Sequence, residues 1–515
     1  MNGLVVSLLY LPGCTTLSSS SPTRAQLKVT CSAIAGRTIG DVTVTSTTWF
    51  DESATTPPFC KVNGTRAPYL DIEVDLPNSW SGRLWQQGGG GLDGTIRSAI
   101  RLDSTGALTD LNIALKTGRS VYAASNGGNR ASVTRQSPPP PEAAPLVWTN
   151  GTPDGVTSAK DYAYDALNTT REFAKAVAKS FYGKLPDHTY FNGCSNGGRN
   201  AYVAASRSPQ EYDGIVSGCM GMDLAGQTAA WMNLGARAGT PSMPSSDQWK
   251  AVTAAAVVEC DALDGVKDGI IANQSACAFD PATLQCGTGI NCLTAAQVLT
   301  VKEIMSDVKL ANGTTVYSGF TWADWGSAIE GWSILGGGNA MLATGDPTWY
   351  RSLPKQQSFN LNNEYAIFQY GLRLAGADPE KSKVAAFVAS GRKLISWHDG
   401  ADNLVSANDH LRNYSAMTEM AKGAGLTNPS ANTRFFIIPG ASHGKGEALT
   451  DVDWFTAITN WVENNSAPEQ LVYNRRDATT GAVLRTLPVC RHPNYPRYKG
   501  AGDLNSAESY TCTNP

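Results

Sequence analysis

The sequence has little charge, and it has no run of basic residues. Charged residues make up 17% of the 515 positions, and the formal net charge is −3. Chains that bind nucleic acid or another polyanion usually carry clustered positive charge, so this class of partner is excluded. Beyond residue 14 the sequence also lacks an apolar run long enough to span a bilayer. The length predicts either one large core with an insertion or two domains.

Metal-binding cysteine patterns are absent as well. No C-x-x-C pair occurs, and no cysteine cluster has a histidine at ligand spacing, which argues against a zinc site. Eleven cysteines leave an even number once Cys14 is set aside, and this favours disulfides formed in an oxidising compartment. Proximity in the sequence predicts four local bridges: Cys31–Cys60, Cys260–Cys277, Cys286–Cys292 and Cys490–Cys512.

The N-terminus has the pattern of an export signal. Residues 3–12 are apolar, and Leu11-Pro12-Gly13-Cys14 leads into a segment rich in Ser and Thr at 15–21. This resembles a bacterial lipoprotein signal in which Cys14 is lipidated after cleavage. Pro12 is unusual there and no Lys or Arg precedes the apolar run, so the lipid anchor at Cys14 is left open. We predict that residues 1–25 direct export, giving a secreted protein or a periplasmic or outer-membrane lipoprotein.

Short apolar runs alternate with helix-like segments in two separated parts of the chain. Strand candidates are 70–76, 83–86, 120–124, 189–191, 214–217, 393–397 and 435–438, and helical spacing covers 162–181 and 451–462. This alternation predicts a mostly parallel sheet covered by helices, built from 26–220 and 390–515. Between them, 221–389 loses the alternation and predicts one insertion folded over the sheet. Four prolines at 138–141 predict a stiff surface loop.

One glycine-rich turn fits a nucleophile. Gly193-Cys194-Ser195-Asn196-Gly197 has the pattern G-x-S-x-G, with an apolar run before it and a helical segment after it. Such a strand–turn–helix elbow exposes a serine hydroxyl above a sheet, and its glycines remove Cβ atoms that would clash. An ordinary glycine turn is the alternative. Together with the partners below, the pattern predicts Ser195 as the nucleophile.

A nucleophile of this kind needs an acid and a histidine later in the chain. Among the five histidines, His443 lies in a loop directly after the apolar strand at 435–438, where an imidazole can swing over the serine. Asp399 and Asp402 compete as the acid after the strand at 393–397. Asp402 is favoured because it lies farther into its loop and can reach the imidazole Nδ1. Helix capping is the alternative role for either aspartate.

A tetrahedral intermediate also needs two hydrogen-bond donors for its oxyanion. One is the backbone N–H of Asn196, directly after the nucleophile. The other is expected from the four glycines at 88–91, which follow a strand and leave their N–H groups free to approach a substrate; Gly89 and Gly90 are the candidates. A phosphate-binding loop is the weaker alternative, because no Gly-Lys-Ser/Thr follows.

These motifs resemble the tannase/feruloyl esterase family. The resemblance rests on 193–199, on Gly400-Ala401-Asp402 and on Ser442-His443-Gly444, and it extends from 76–80 through 181–183 to 498–503. It implies an α/β-hydrolase fold with a large inserted lid domain over 221–389. It also implies a serine esterase that hydrolyses esters of small aromatic carboxylic acids through an acyl-enzyme.

The chain departs from that family beside the catalytic histidine. In the family, a cysteine before the serine usually bridges to a cysteine directly after the histidine. Cys194 is present here, but residue 444 is glycine. Cys219 is the partner left by the pairing, and it ends a strand expected beside the nucleophile strand. We therefore predict a Cys194–Cys219 bridge.

A second motif places three aspartates, Asp261, Asp264 and Asp268, within eight residues. Oxygen ligands at this density suit Ca²⁺, although a solvated turn with Asp caps is the alternative. The family resemblance implies a structural calcium site here. Carried over, it would use the three side chains and the backbone carbonyls of Val266 and Ile270.

The resemblance leaves the substrate open. No Lys or Arg occurs at 311–350, so this part of the lid offers no guanidinium for a free carboxylate. We therefore rank feruloyl or galloyl esters above a terephthalate monoester. From another class, a calcium-stabilised binding protein on an inactive hydrolase scaffold would lack a triad member, and none is missing.

Overall fold

The structure is a computed structural model that describes residues 22–54, 56–102, 108–130, 146–149, 151–286, 292–477 and 479–515. Most of the expected export segment, with Cys14, and the prolines at 138–141 lie outside the described residues. The strands are β1 Thr38–Ile39, β2 Val42–Phe50, β3 Phe59–Arg66, β4 Leu70–Pro77, β5 Arg83–Gln87, β6 Ile100–Leu102, β7 Leu108–Leu111, β8 Val121–Ser125, β9 His188–Cys194, β10 Gly214–Gly218, β11 Val308–Lys309, β12 Thr315–Tyr317, β13 Lys393–Asp399, β14 Thr433–Ile438, β15 Gln470–Arg476, β16 Val483–Cys490, β17 Tyr495–Tyr498 and β18 Tyr510–Thr513.

The helices lie between and around these strands. They are α1 Arg24–Ala33, α2 Ile113–Lys116, α3 Pro153–Lys160, α4 Ala166–Tyr182, α5 Asn196–Arg207, α6 Leu224–Gly235, α7 Ser246–Cys260, α8 Ala295–Met305, α9 Ile329–Thr344, α10 Leu353–Gln357, α11 Leu361–Ala375, α12 Lys381–Ala389, α13 Ala407–Gly423 and α14 Trp454–Asn464. A π-helical turn, Asp161–Asp165, joins α3 to α4. None of the helices within the described ranges combines the length and the apolarity needed to cross a bilayer.

A ten-stranded sheet forms the centre, in the order β1-β2-β3-β4-β8-β5-β9-β10-β13-β14. From β8 to β14 all neighbours are parallel, whereas β1 to β4 and the β4–β8 pair are antiparallel. This is an α/β-hydrolase fold, as expected. The sheet is parallel only in the half that contains β9, the strand that leads into Ser195. β2 and β3 were not predicted from the sequence.

Alternating side chains of the parallel strands pack into two separate cores, because successive residues of a strand point to opposite faces of the sheet. Tyr190 and Ile395 pack on one face with the tryptophans of α14. Phe191 and Leu394 pack on the other face with α5, α12 and α13. Helices on both faces exclude water from the strands, so nearly all residues of β5, β9, β10 and β13 are buried.

The segment between β10 and β13 is mostly helical and has its own core. This core includes the buried aromatic residues Trp231, Phe320, Trp322, Trp325 and Trp332. The insertion ends earlier than the predicted residue 389, however. Helix α12 packs in the sheet-side core through Val384, Phe387 and Val388, against α5 and α13. The segment 381–389 therefore belongs to the hydrolase core.

The structure contains each of the five predicted disulfides. Four join Cys31 to Cys60, Cys260 to Cys277, Cys286 to Cys292 and Cys490 to Cys512. The fifth joins Cys194 to Cys219, with the Cα atoms 5.1 Å apart. The two cysteines lie at the ends of adjacent parallel strands, where Gly218 is in register with Cys194.

Candidate active site

Ser195 stands at a sharp turn between β9 and α5. Its backbone has φ 60° and ψ −125°, a conformation that costs a non-glycine residue energy and that nucleophile elbows use. A Cβ atom at Gly193 would lie 2.5 Å from the backbone of Gly197, and one at Gly197 would lie 2.7 Å from the carbonyl oxygen of Gly89. Glycine is therefore required at both positions of the motif.

His443 and Asp402 form a hydrogen-bonded pair beside the elbow. The His443 Nδ1 lies 2.7 Å from Asp402 Oδ2, and Asp402 Oδ1 accepts the N–H groups of Leu404 and Val405. Burial alone would raise the pKa of Asp402, but His443 and His398 outweigh it and lower that pKa. Burial lowers the pKa of His443, but Asp402 outweighs it and raises that pKa. The carboxylate therefore stays ionised and stabilises an imidazolium.

A second histidine also holds Asp402. His398 Nε2 lies 3.1 Å from Asp402 Oδ2 and 3.2 Å from the carbonyl oxygen of Val405, so both neighbours are acceptors and the proton belongs on Nε2. Its Nδ1 lies 2.9 Å from His410 Nδ1, and His410 Nε2 lies 2.6 Å from the hydroxyl of Tyr202. This buried chain holds the same carboxylate oxygen, Oδ2, that His443 contacts.

Asp399, the other candidate for the acid, has a different set of contacts. Its Oδ2 accepts the N–H of Gly444 at 2.8 Å and its Oδ1 accepts the N–H of Gly446 at 3.1 Å. Burial raises the pKa of Asp399 well above its usual range, and the charge of Asp402 adds to this effect. Asp399 therefore fastens the loop that carries His443, where relatives are expected to use a disulfide.

Replacing Asp399 by alanine should loosen this loop. The buried N–H of Gly446 and the half-buried N–H of Gly444 lose their acceptor, and an unsatisfied buried group costs about 1–3 kcal/mol. We expect a lower melting temperature and a lower kcat in the protein that remains folded. Asp477→Ala is the matched control, because Asp477 also accepts two backbone N–H groups, of Thr479 and Thr480, in an exposed turn. Equal kcat in both variants would contradict a role for Asp399 in holding His443.

The Cys194–Cys219 bridge lies against the triad. Within the described ranges, one group of three potential ligand atoms lies mutually within 4.8 Å, and it consists of Cys219, Asp402 and His443. Since Cys219 is in a disulfide and Asp402 is bonded to His443, these atoms are already engaged and do not form a metal site. Asp399 Oδ2 lies 3.3 Å from Cys219 Sγ, so the bridge and the histidine loop meet at one carboxylate.

The glycine loop before β6 differs from the predicted oxyanion site. The N–H of Gly90 donates to Asp93 Oδ1 at 2.9 Å, so it is not free, which contradicts its assignment. Among the described residues around Ser195, Gly90 and Gly91 line the cavity, and Gly89 does not. Gly91 also lines a smaller cavity together with Asn196. Gly91 therefore becomes a further candidate for the second donor beside Gly89, whereas the N–H of Gly90 is engaged.

Asp93 was not predicted as a site residue, yet it links the glycine loop to Asn196. Its carboxylate also accepts from Asn196 Nδ2 at 2.8 Å, and Arg199, fully buried, donates to Asn196 Oδ1. Burial raises the pKa of Asp93 to about 6, against the opposing effects of Asn196 and Arg199. In the sequence, Arg199 at the end of the elbow motif is the residue that could have indicated this network of hydrogen bonds.

Ser195 lies between two cavities. The larger has a volume of about 500 Å³, and its lining includes Ser195, His443, Arg97, Glu447 and Leu404. The smaller has a volume of about 20 Å³ beside Ser195 and Asn196, and its lining includes Tyr162, Trp231, Gln227 and Asn339. Gln227 Nε2 and Asn339 Oδ1 are buried and lack hydrogen-bond partners among the described residues. These two amides can therefore bind a polar group that enters the smaller cavity.

In the aspartate loop of the insertion, the three carboxyl groups have different surroundings. Asp261 and Asp264 are buried, and burial, with Asp268 and Asp261 adding to it, raises the pKa of Asp264 to about 7. Asp268 is bonded to Arg485 and lies 3.2 Å from the hydroxyl of Tyr510. The three carboxylates fit a divalent cation in type and charge, but Asp268 would have to turn away from Arg485 to join a common ion.

Comparison with known proteins identifies the family. The sequence profile described as "Tannase and feruloyl esterase" matches residues 53–364 and 368–513. The chain belongs to the tannase and feruloyl esterase family. It is 28% identical to a mono(2-hydroxyethyl) terephthalate hydrolase of Piscinibacter sakaiensis, over 90% of this chain and 86% of the relative. It is 29% identical to a probable feruloyl esterase of Arthroderma benhamiae, over 89% of this chain and 86% of the relative.

Solved structures agree on the fold. An esterase from Aspergillus oryzae superposes with a TM-score of 0.73 at 22% identity, covering 95% of this chain and 100% of that one. Tannin acyl hydrolase from Aspergillus niger gives 0.69 at 19% identity, covering 96% and 97%. The family comprises carboxylic ester hydrolases, and this chain is one of them.

Proposed function

We propose that this protein is a serine esterase that acts on esters of small aromatic carboxylic acids through an acyl-enzyme. The observation that carries the proposal is Ser195 on a nucleophile elbow, in one cavity with a His443 that is bonded to Asp402. An inactive binding scaffold would not need this arrangement. The names of the relatives, which include feruloyl esterases and a terephthalate-monoester hydrolase, support the aromatic acid.

The residues act in two half-reactions. Ser195 Oγ attacks the ester carbonyl carbon while His443 Nε2 takes its proton, and Asp402 stabilises the imidazolium. The N–H groups of Asn196 and of Gly89 or Gly91 bind the oxyanion. His443 then gives the proton to the leaving alcohol. In the second half, His443 takes a proton from water, whose oxygen attacks the acyl carbon, and Ser195 leaves with that proton restored.

We rank phenolic acyl groups above a terephthalate monoester. The reason is the charge of the larger cavity, and it includes a residue outside the insertion. Arg97 lies outside the insertion, in the loop before β6, and lines the larger cavity. Its guanidinium is paired with Glu447, Nη1 to Oε2, at 3.3 Å. Because Glu447 already balances the charge of Arg97, the cavity offers no free cation for a substrate carboxylate. The unpartnered amides of Gln227 and Asn339 suit a neutral hydroxyl instead.

Parallel kinetics test this proposal. Methyl ferulate, methyl gallate and mono(2-hydroxyethyl) terephthalate are hydrolysed side by side, and kcat/KM is measured for each. We expect the two phenolic esters to exceed the terephthalate ester by tenfold or more. A preference for the terephthalate ester would overturn the ranking and keep the esterase. Absence of hydrolysis above the buffer rate for all three would overturn the proposed substrate class.

We also propose a structural calcium ion in the insertion, held by Asp261, Asp264 and Asp268 with the carbonyls of Val266 and Ile270. The buried carboxyl of Asp264 beside two other acids supports it, because a cation would neutralise that repulsion. The Cys260–Cys277 bridge begins directly before this loop. The ion would stabilise the insertion and would take no part in the reaction.

Chelation should therefore destabilise the protein. A ligand that binds only the folded state adds about 2.7 kcal/mol at a hundredfold excess over its Kd, so removal of Ca²⁺ should lower the melting temperature and re-addition should restore it. Asp264→Asn should abolish this response, whereas Asp280→Asn should retain it. Asp280 is an exposed residue at the N-terminus of a 3₁₀ helix, Pro281–Leu284, in the same insertion. An unchanged melting curve after metal removal verified by elemental analysis would contradict the site.

Export remains part of the proposal. Five disulfides support folding in an oxidising compartment. Lipidation of Cys14 stays a prediction from the sequence.

A further inference from the structure

Three buried side chains extend from Asp402 away from the cavities at Ser195. They are His398 on β13, His410 on α13 and Tyr202 on α5, and together we call them the histidine chain. All three are fully buried, and none is among the described residues that line either cavity. They do not touch the substrate, so an effect on the reaction must pass through Asp402.

The hydrogen bonds of the histidine chain all point in one direction. His398 carries its proton on Nε2, which faces Asp402 Oδ2, so the Nδ1 of a neutral His398 is an acceptor. His410 Nδ1, at 2.9 Å, is then the donor. This leaves His410 Nε2 to accept from the hydroxyl of Tyr202, at 2.6 Å. The same hydroxyl accepts from Ser396 Oγ at 2.7 Å. In each bond, the donor is therefore the group farther from Asp402.

The histidine chain is neutral. Burial lowers the pKa of His410 well below its usual range, and His398 adds to this effect. A cationic His398 would lie close to the imidazolium that His443 becomes in the reaction, with Asp402 between them. Two like charges in one buried site disfavour each other, so a neutral His398 suits the reaction.

The histidine chain also connects the acid to the helix that begins at the nucleophile. Helix α5 starts directly after Ser195, and Tyr202 lies on it. His410 lies on α13, which follows the loop that carries Asp402. Ser195 and Asp402 are thus connected by bonds that do not involve His443. This connection holds the acid while His443 gains and loses its proton.

We propose that Tyr202, His410 and His398 are positioning residues of the esterase, whose aligned hydrogen bonds hold Asp402 and moderate the pull of its carboxylate on His443. This rests on the proposed esterase function and adds three residues to it. The N–H of His398 shares the oxygen, Oδ2, that His443 contacts. Polarisation along aligned bonds strengthens this N–H as a donor.

The proposal fixes the sign of a pH effect. Asp402, Asp399 and Glu447 face His443 and raise its pKa. At the other end, Tyr414 stays neutral because burial raises its pKa. Loss of the N–H that the histidine chain donates leaves more charge on Asp402 Oδ2, while Oδ1 keeps two backbone donors. The pKa of His443 then rises further, and the acid limb of the pH profile moves to higher pH.

Kinetics with methyl ferulate test the proposal in three variants. Tyr202→Phe should lower kcat about two- to tenfold, the effect of one neutral hydrogen bond, and His398→Leu about ten- to a hundredfold, that of a hydrogen bond to a charged group. KM should stay close to the wild-type value. The acid limb of kcat/KM should move to higher pH in His398→Leu. His398→Gln should recover most of the lost kcat, because its amide can donate to Asp402.

Tyr212→Phe is the matched control. Tyr212 is buried in the same core as Tyr202, and its hydroxyl donates to Gln86 Oε1 at 2.7 Å. We expect this variant to keep the wild-type kcat and acid limb. Equal losses of kcat in Tyr202→Phe and Tyr212→Phe would overturn the inference. An acid limb of His398→Leu that stays in place or moves to lower pH would overturn it as well.

NMR of the histidine ring nitrogens separates this inference from the proposed function. The protein has five histidines, so their signals can be assigned by substitution. We expect the proton of His410 on Nδ1, that of His398 on Nε2, and a higher pKa of His443 in His398→Leu. A proton of His410 on Nε2 would overturn the direction of the histidine chain. Absence of ester hydrolysis in the wild type, with the expected NMR signals, would instead refute the proposed function.

Discussion

Ser195→Ala should lower kcat for methyl ferulate by about 10⁴-fold or more, the effect of removing the nucleophile from a triad. The Oγ atom supplies the bond to the acyl carbon, and water in the cavity cannot replace it because it is not held by His443 in the same position. We expect the melting temperature to stay close to that of the wild type, since the strained turn is preserved by Gly193 and Gly197.

Ser206→Ala is the matched control for this prediction. Ser206 lies on the same helix, is buried, and donates to the carbonyl of Val203. Its loss removes a hydroxyl without touching the proposed chemistry. A Ser195→Ala enzyme that keeps more than about one-tenth of the wild-type rate would show that another group attacks the ester.

Asp402→Asn should be the second large effect, about 10³–10⁴-fold in kcat. An asparagine can turn its NH₂ group toward His443 Nδ1, which favours the tautomer with the proton on Nε2, where the base must be free. Loss of the carboxylate also lowers the pKa of His443, because Asp402 is what raises it. The acid limb of the pH profile of kcat/KM should therefore move to lower pH.

The pH profile gives this prediction a readout that a structural defect would not produce. The neutral imidazole is the active base, so the wild-type rate rises as pH passes above the raised pKa of His443. A variant with the same acid limb and a small loss in kcat would contradict the role of Asp402. Asp409→Asn, another buried aspartate at the start of α13, controls for the loss of a buried charge.

The local motifs of the site could be predicted because they depend on residues close in sequence. The elbow needs glycines at 193 and 197 around Ser195, and the order serine, acid, histidine is a rule of the fold. The choice of Asp402 over Asp399 followed from its position farther into the loop. The structure adds that Asp399 binds the His443 loop, a role that depends on contacts across 45 residues.

Other features depend on packing that single-sequence patterns do not contain. Arg97 and Glu447 are far apart in the chain, and each looks like an ordinary surface charge. The sequence does not show that Trp231, Phe320 and Trp332 of the insertion pack into one core. Helix α12 was assigned to the insertion because its apolar spacing does not reveal which core it joins.

The most direct test of the account is to trap the acyl-enzyme. The enzyme is mixed with p-nitrophenyl ferulate, quenched in acid during turnover, and analysed by peptide mass spectrometry. We expect a burst of p-nitrophenol close to one equivalent and a feruloyl adduct on the peptide that contains Ser195. Steady turnover without an adduct on Ser195, together with an active Ser195→Ala variant, would contradict the central claim.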